Sequence, residues 1–102
     1  MSKRLELFDK LIAGGSRDPF HHYARALELR SLTRRDDALA ALKGVIETFP
    51  DYVPSYLIAA QLGQELGDVA SARTLAEAGI TVAKRTGNDH ATSELESLLA
   101  GL

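Results

Sequence analysis

The feature that most constrains this chain is a spacing: a pattern of small and large residues recurs after 34 positions. Its clearest copy runs from Pro54 to Ala83 and reads as two antiparallel helices joined at Leu66-Gly67-Asp68. In the second of these helices Ala72, Leu75, Ala76, Gly79, Ile80 and Ala83 fall on one helical face, and most of them are small. Small residues let a neighbouring backbone approach closely, where Leu or Phe would hold it away. The first helix offers Tyr56, Leu57, Ala60 and Leu66 as its inner side, with Pro54 in the opening turn, where a missing N–H costs nothing. Gly67 supplies the positive φ that ends a helix, and Asp68 supplies a cap for the next.

Sliding back one period places Ala72 on Ala38, Ala60 on Ala26, Leu66 on Leu32, Ile80 on Ile46 and Tyr56 on His22. The earlier second helix has an unbroken apolar face of Ala38, Leu39, Leu42, Val45, Ile46 and Phe49, and Pro50 stops it. Such a helix pair at this period resembles the tetratricopeptide repeat: a large residue, a small one, an Ala opening the second helix, a closing Pro. The resemblance covers Pro19 to Lys84. It is carried by Tyr56, Ala60, Gly67, Ala72, Ala76 and Gly79 in one repeat and by Ala26, Leu29, Ala38, Leu42 and Pro50 in the other. His22, Gly63 and Lys84 depart from it, standing where a large apolar residue, an aromatic and the closing Pro are usual. The tail through Gly79-Ile80, Ala83, Gly87, Ala91 and Glu94 also resembles small stand-alone bacterial proteins of this repeat type.

Two repeats fall short of the roughly three units a solenoid needs, so the flanks must contribute. Residues 3–13 form a helix with Leu5, Phe8, Leu11 and Ile12 on one side, Ser2 as cap and Gly14-Gly15 as the break. A lone amphipathic helix of this length is marginal in water, so it is expected to cover the end of the first repeat rather than a partner or a membrane surface. Asp18-Pro19 starts the next helix, whose Phe20, Tyr23, Leu27 and Leu29 point to more than one neighbour. The turn Thr33-Arg34-Arg35-Asp36 lacks a glycine, which leaves Asp36 or Asp37 as the cap of the second helix of that repeat. Beyond Gly87-Asn88-Asp89, a last helix places Ala91, Leu95, Leu98, Leu99 and Leu102 on one face. The expected fold is therefore all-α: a short right-handed α-solenoid of about six helices in a single domain over 1–102. It has an N-terminal capping helix (3–13), repeats at 19–52 and 53–86, and a C-terminal capping helix (88–102).

Composition bounds the chemistry. At 102 residues the chain is long enough for one cooperative core. With no cysteine there is neither a disulfide nor thiol chemistry, which fits a reducing compartment. A formal net charge of −2 gives no strong field for nucleic acid or an acidic membrane. No apolar run approaches a membrane span, and MSKRLELFDK lacks the apolar core of a signal peptide, so a cytoplasmic protein is expected.

Candidate catalytic groups are few. His21 and His22 are adjacent, so on a helix they point about 100° apart, and His90 lies at the far end of the stack; no HExxH or CxxC spacing joins them. Their expected roles are a solvated His21 and a half-buried, packing His22. Gly14-Gly15-Ser16 and Gly63 follow no strand and fit no phosphate-binding pattern, and no serine stands in a G-x-S-x-G turn. A non-catalytic protein without metal or cofactor is the expectation. The cluster Arg25, Arg30, Arg34 and Arg35 reads as a solvated, ion-paired face, with an acidic partner segment as the alternative.

The resemblance implies a protein or peptide partner bound along the concave surface by the first helix of each repeat. The matching positions are Phe20, Tyr23, Leu27 and Arg30 in the first repeat and Leu57, Gln61 and Gln64 in the second. Tyr23, Leu27, Leu57 and Gln61 differ from the Lys, Asn and Arg set with which some members grip chaperone carboxylates. This groove is apolar with an amide floor, suited to a hydrophobic or helical segment, unless the N-terminal helix lies across Tyr23 and Leu27. An adaptor is the primary reading. The alternatives are a homodimer through a terminal helix or the strip around Ala59 and Leu62, and a regulatory subunit of an enzyme.

Overall fold

The starts and stops of the helices are visible as hydrogen bonds in the computed structural model, which describes residues 2–102. The helices are α1 (Lys3–Ala13), α2 (Pro19–Ser31), α3 (Arg35–Thr48), α4 (Pro54–Glu65), α5 (Val69–Arg85) and α6 (Asp89–Ala100). Among the described residues there is no strand. Ser2 Oγ accepts the Leu5 N–H at 3.1 Å, Asp18 Oδ1 that of Phe20 at 2.9 Å, Asp68 Oδ1 that of Ser71 at 3.1 Å and Asn88 Oδ1 that of Ala91 at 3.0 Å. Each occupies an amide that the first helical turn leaves without a partner.

α3 starts differently. Its N-cap position is Arg34, which has no side-chain cap bond, and Asp36 and Asp37 lie inside the first turn. There their charge acts on the helix dipole instead of a single amide, which corrects the sequence assignment of the cap. The turn before it closes with Thr33 at φ 62°, where the second repeat has Gly67 at φ 76°.

Each helix packs on the next in chain order, and α4 packs in addition on α6. The alanines that recur with the period do what small residues predict: Ala26, Ala38, Ala60 and Ala72 are all fully buried, and so is Ala76. At the α4–α5 crossing a Cβ on Gly63 would lie 3.1 Å from the Ala72 backbone nitrogen. On α5 a Cβ on Gly79 would meet Tyr56 Cβ at 2.6 Å and Leu95 Cδ1 at 2.9 Å. Backbones and rings sit where side chains would otherwise go.

Two buried clusters result. One joins Ala26, Leu29, Ala38, Leu39 and Leu42 to Ala59 and Leu62, and the other joins Val53, Tyr56, Ala60 and Ala76 to Leu95. α4 contributes to both, so its inner side is wider than the sequence stripe suggested. Ala59 and Leu62 are completely buried, which removes the strip around them as a dimer surface. Leu66, placed inside from sequence, is exposed at the helix end. α1 has no fully buried residue and packs on α2, with Leu5 against the first cluster. No helix is long and apolar enough to cross a membrane.

Candidate functional site

The first helices of successive units, α2, α4 and α6, stand side by side. Tyr23, Leu57 and Ala91 hold the same place in the 34-residue period, and the fold brings them to one hollow of about 250 Å³. Val53, Ile58 and Leu95 complete its apolar lining, and Asn88, His90 and Glu94 bring polar atoms to it. Leu57 also lines a neighbouring depression with Gln61, Ser97 and Leu98. The apolar lining follows from α4 and α6 packing on each other, and the polar groups come from the capped first turns of α6.

The Tyr23 ring is fixed by Tyr52, whose ring lies edge-on at 5.4 Å between centroids. Burial pushes the Tyr23 phenol above its ordinary value of 10.0, the neighbouring Tyr52 adds to this, and Arg30 opposes it. Tyr52 is raised as well, by burial first and then by Asp18. Both phenols therefore stay neutral near pH 7 and can donate a hydrogen bond. On the opposite side of the hollow His90 Nε2 lies 2.7 Å from Glu94 Oε1, with the imidazole largely in solvent.

Other sequence-selected residues are placed elsewhere. Arg30 reaches across from α2 to α4, donating to Gln61 Oε1 at 3.1 Å and Glu65 Oε2 at 2.8 Å. Arg35 approaches Glu65 at 3.5 Å. These contacts tie α2, through Arg30, and α3, through Arg35, to α4 beyond the hollow, and they leave Arg30 and Gln61 engaged with each other. Phe20 and Leu27 belong to a separate groove with Arg4 and Phe8, and Gln64 is exposed. α1 contributes no residue to the hollow and does not lie across Tyr23. The remaining arginines of the cluster also pair within the chain, Arg25 with Asp9 at 2.6 Å and Arg34 with Asp37 at 2.9 Å.

The histidines act as connectors. His22 stacks at a tilt on Phe49, 5.4 Å between centroids, and its Nε2 lies 2.9 Å from the Ser16 carbonyl oxygen. His21 is not solvated as expected: it is half-buried, with Nδ1 2.7 Å from Ser16 Oγ. Both hold the α1–α2 loop. Among the described residues no three His, Cys, Asp or Glu side chains come together as a metal site would require. On the opposite side of α2 a wider hollow of about 440 Å³ lies between α1 and α3, and the charges on its wall, Asp9 and Arg25, already satisfy each other.

Tyr52, Asn88, His90, Ala91 and Glu94 do not stand out as site residues in the sequence. The available signal is the period itself, which carries Tyr23 to Leu57 and then to Ala91 in the helix expected only to close the stack.

Comparison with solved structures places this arrangement. The crystal structure of a tetratricopeptide repeat domain protein from Salinibacter ruber superposes with a TM-score of 0.79 at 33% identity, covering 83% of this chain and 94% of that one. A solution structure of a tetratricopeptide repeat domain protein from the same organism gives a TM-score of 0.79 at 33% identity over 82% and 85% of the two chains. A protein from Bordetella parapertussis shares the fold, with a TM-score of 0.82 at 23% identity over 98% of this chain and 87% of that one. No family model matches the chain, and no curated protein does.

Proposed function

Because this chain belongs to the tetratricopeptide repeat family, we propose that it is a non-catalytic adaptor that docks a segment of a partner protein in the hollow between Tyr23, Leu57 and Ala91. The observation that carries this reading is the hollow itself. It is a concave apolar space of about 250 Å³, large enough for one or two apolar side chains, with a neutral phenol on one side and the Glu94 carboxylate on the other. A partner segment with an apolar anchor fits there, and its backbone can bond to Asn88 and Tyr23. Arg30 and Gln61 serve this site by fixing the spacing of α2 and α4.

The test compares partners recovered by the wild type with those recovered by Leu57→Glu and Tyr23→Ala, each first shown to keep its helical circular dichroism. Leu57 is only half-buried, so a carboxylate there is tolerated by the fold and charges the hollow. Specific partners are expected to disappear with Leu57→Glu and to weaken with Tyr23→Ala. An unchanged set of partners with both variants would remove the assignment.

A further inference from the structure

The two ends of the stack are finished in opposite ways. Where α4 turns Tyr56, Ala59, Ala60 and Gly63 into the buried interior, α6 one period later has His90, Ser93, Glu94 and Ser97, all exposed. His90 and Glu94 border the hollow described above, and the four together leave the open side of α6 polar at the C-terminal end of the stack. Among the described residues, α1 and α2 carry no such polar finish on the corresponding side. α4 faces α2 with Ile58, Gln61 and Glu65, as the packing of Ile58 on the first cluster and the bonds to Arg30 show. One period earlier these places are Ala24, Leu27 and Ser31, with Phe20 standing for Pro54. On α1, Arg4 and Phe8 stand one period before Ala38 and Leu42, which are fully buried. These six residues line one open groove of about 320 Å³. By the symmetry of the repeat it is the seat of a further helix, and Phe20 protrudes at it with 52% of its surface exposed.

Charge identifies the occupant. Arg4 stands on the α1 wall and Glu28 on the α2 wall. Among the described residues neither makes a salt bridge, and Glu28 accepts only a hydroxyl, from Ser2 Oγ at 2.9 Å. A face with one cation and one anion on opposite walls of an apolar groove is complementary to itself under a two-fold rotation, which sets each Arg4 against the other Glu28. The polar side chains His90, Ser93, Glu94 and Ser97 of α6 match an apolar seat poorly, which disfavours the head-to-tail alternative, in which α6 of one copy would fill the seat of the next. We propose that two copies of this chain join through their N-terminal ends, α1 and α2 packing on α1 and α2 of the second copy, with each Phe20 ring inserted in the opposite groove.

Light scattering on the intact chain from micromolar to millimolar concentration is expected to show twice the chain mass at the upper end. Phe20→Asp, a change at a half-exposed position that leaves the helical signal intact, is expected to stay monomeric throughout. Arg4→Glu and Glu28→Arg are each expected to raise the dimer dissociation constant about tenfold, and the double exchange to restore it, because it rebuilds both pairs with their signs reversed. Leu57→Glu is expected to leave the mass unchanged, which separates this interface from the docking hollow. A wild type that is monomeric at millimolar concentration overturns the proposal, including the case in which a helix of a different protein binds there. So does a dimer that Phe20→Asp does not weaken, or a double exchange that associates no better than the single ones.

Discussion

The two helix pairs fill the same frame with different volumes. In the first, Leu29, Leu42 and Val45 are buried at the crossing of α2 and α3, and His22 stands half-buried beside them. In the second, the same three places shrink to Gly63, Ala76 and Gly79. The missing volume returns from two directions: Tyr56 replaces the imidazole, its hydroxyl donating to the Pro50 carbonyl at 2.6 Å, and Leu95 of α6 enters beside Gly79. Both pairs take side chains from the helix that follows, the first Ala59 and Leu62 of α4 and the second Leu95 of α6, but only in the second does the borrowed side chain stand against a glycine of the pair itself, Gly79. This dependence draws α6 onto α4 and α5, and it is what builds the hollow next to Leu57.

The largest effect should come from giving the second pair the residue of the first. Gly79→Val drives a branched side chain into Tyr56 and Leu95, and denaturant unfolding is expected to show a loss of about 3 kcal/mol. The reverse change, Leu42→Ala, gives the first pair the small residue found at Ala76 without a Tyr56 or a Leu95 to compensate. A cavity cost of about 3 kcal/mol is expected by the same measurement, and a loss below about 1 kcal/mol would show that the first pair is loosely packed.

A smaller effect separates the two turns. Thr33 holds a left-handed conformation that glycine adopts freely, as Gly67 does. Thr33→Gly is expected to stabilise the protein by about 1 kcal/mol, and Gly67→Thr to destabilise it by a similar amount. No change on Thr33→Gly would mean that the strain is absorbed elsewhere in the turn.

The smallest effect concerns pH. Hydrogen bonds from Ser71 hold the Asp68 carboxyl below its ordinary value of 3.8, so the folded state releases that proton more readily than the unfolded chain. Its contribution is therefore fully present above pH 3.8 and lost as pH falls through the lower folded value. The first pair has no equivalent, because Arg34 stands at that position. Asp68→Asn, which caps without titrating, should flatten the fall of the thermal midpoint below about pH 4. An identical slope in both proteins would assign the acid sensitivity to other carboxylates.

The parts of this structure legible in the sequence are those governed by local rules. Ser2, Asp18, Asp68 and Asn88 cap because an oxygen at the right offset suffices, and the buried alanines show because size at a fixed period suffices. The turn at Thr33 is not legible, since nothing in its own composition specifies a left-handed threonine; packing of α2 on α3 imposes it. Ala59 and Leu62 pass for surface residues in the sequence because helix periodicity reports one buried face, and α4 has neighbours on several. The hollow is half legible. Tyr23 and Leu57 come from the repeat register, but Arg30 and Gln61 are committed to each other across two helices, and the α6 wall depends on Leu95 finding Gly79, a contact between residues that share no local pattern.

Amide hydrogen exchange on Gly79→Ala tests most directly whether α6 is held by the second pair. An added methyl at Gly79 presses first on Tyr56 and Leu95, so protection in Asp89–Ala100 should fall by far more than protection in α2 and α3. A uniform loss across all helices, or an α6 that exchanges as in the wild type, would contradict the dependence of the α6 wall of the hollow on that contact.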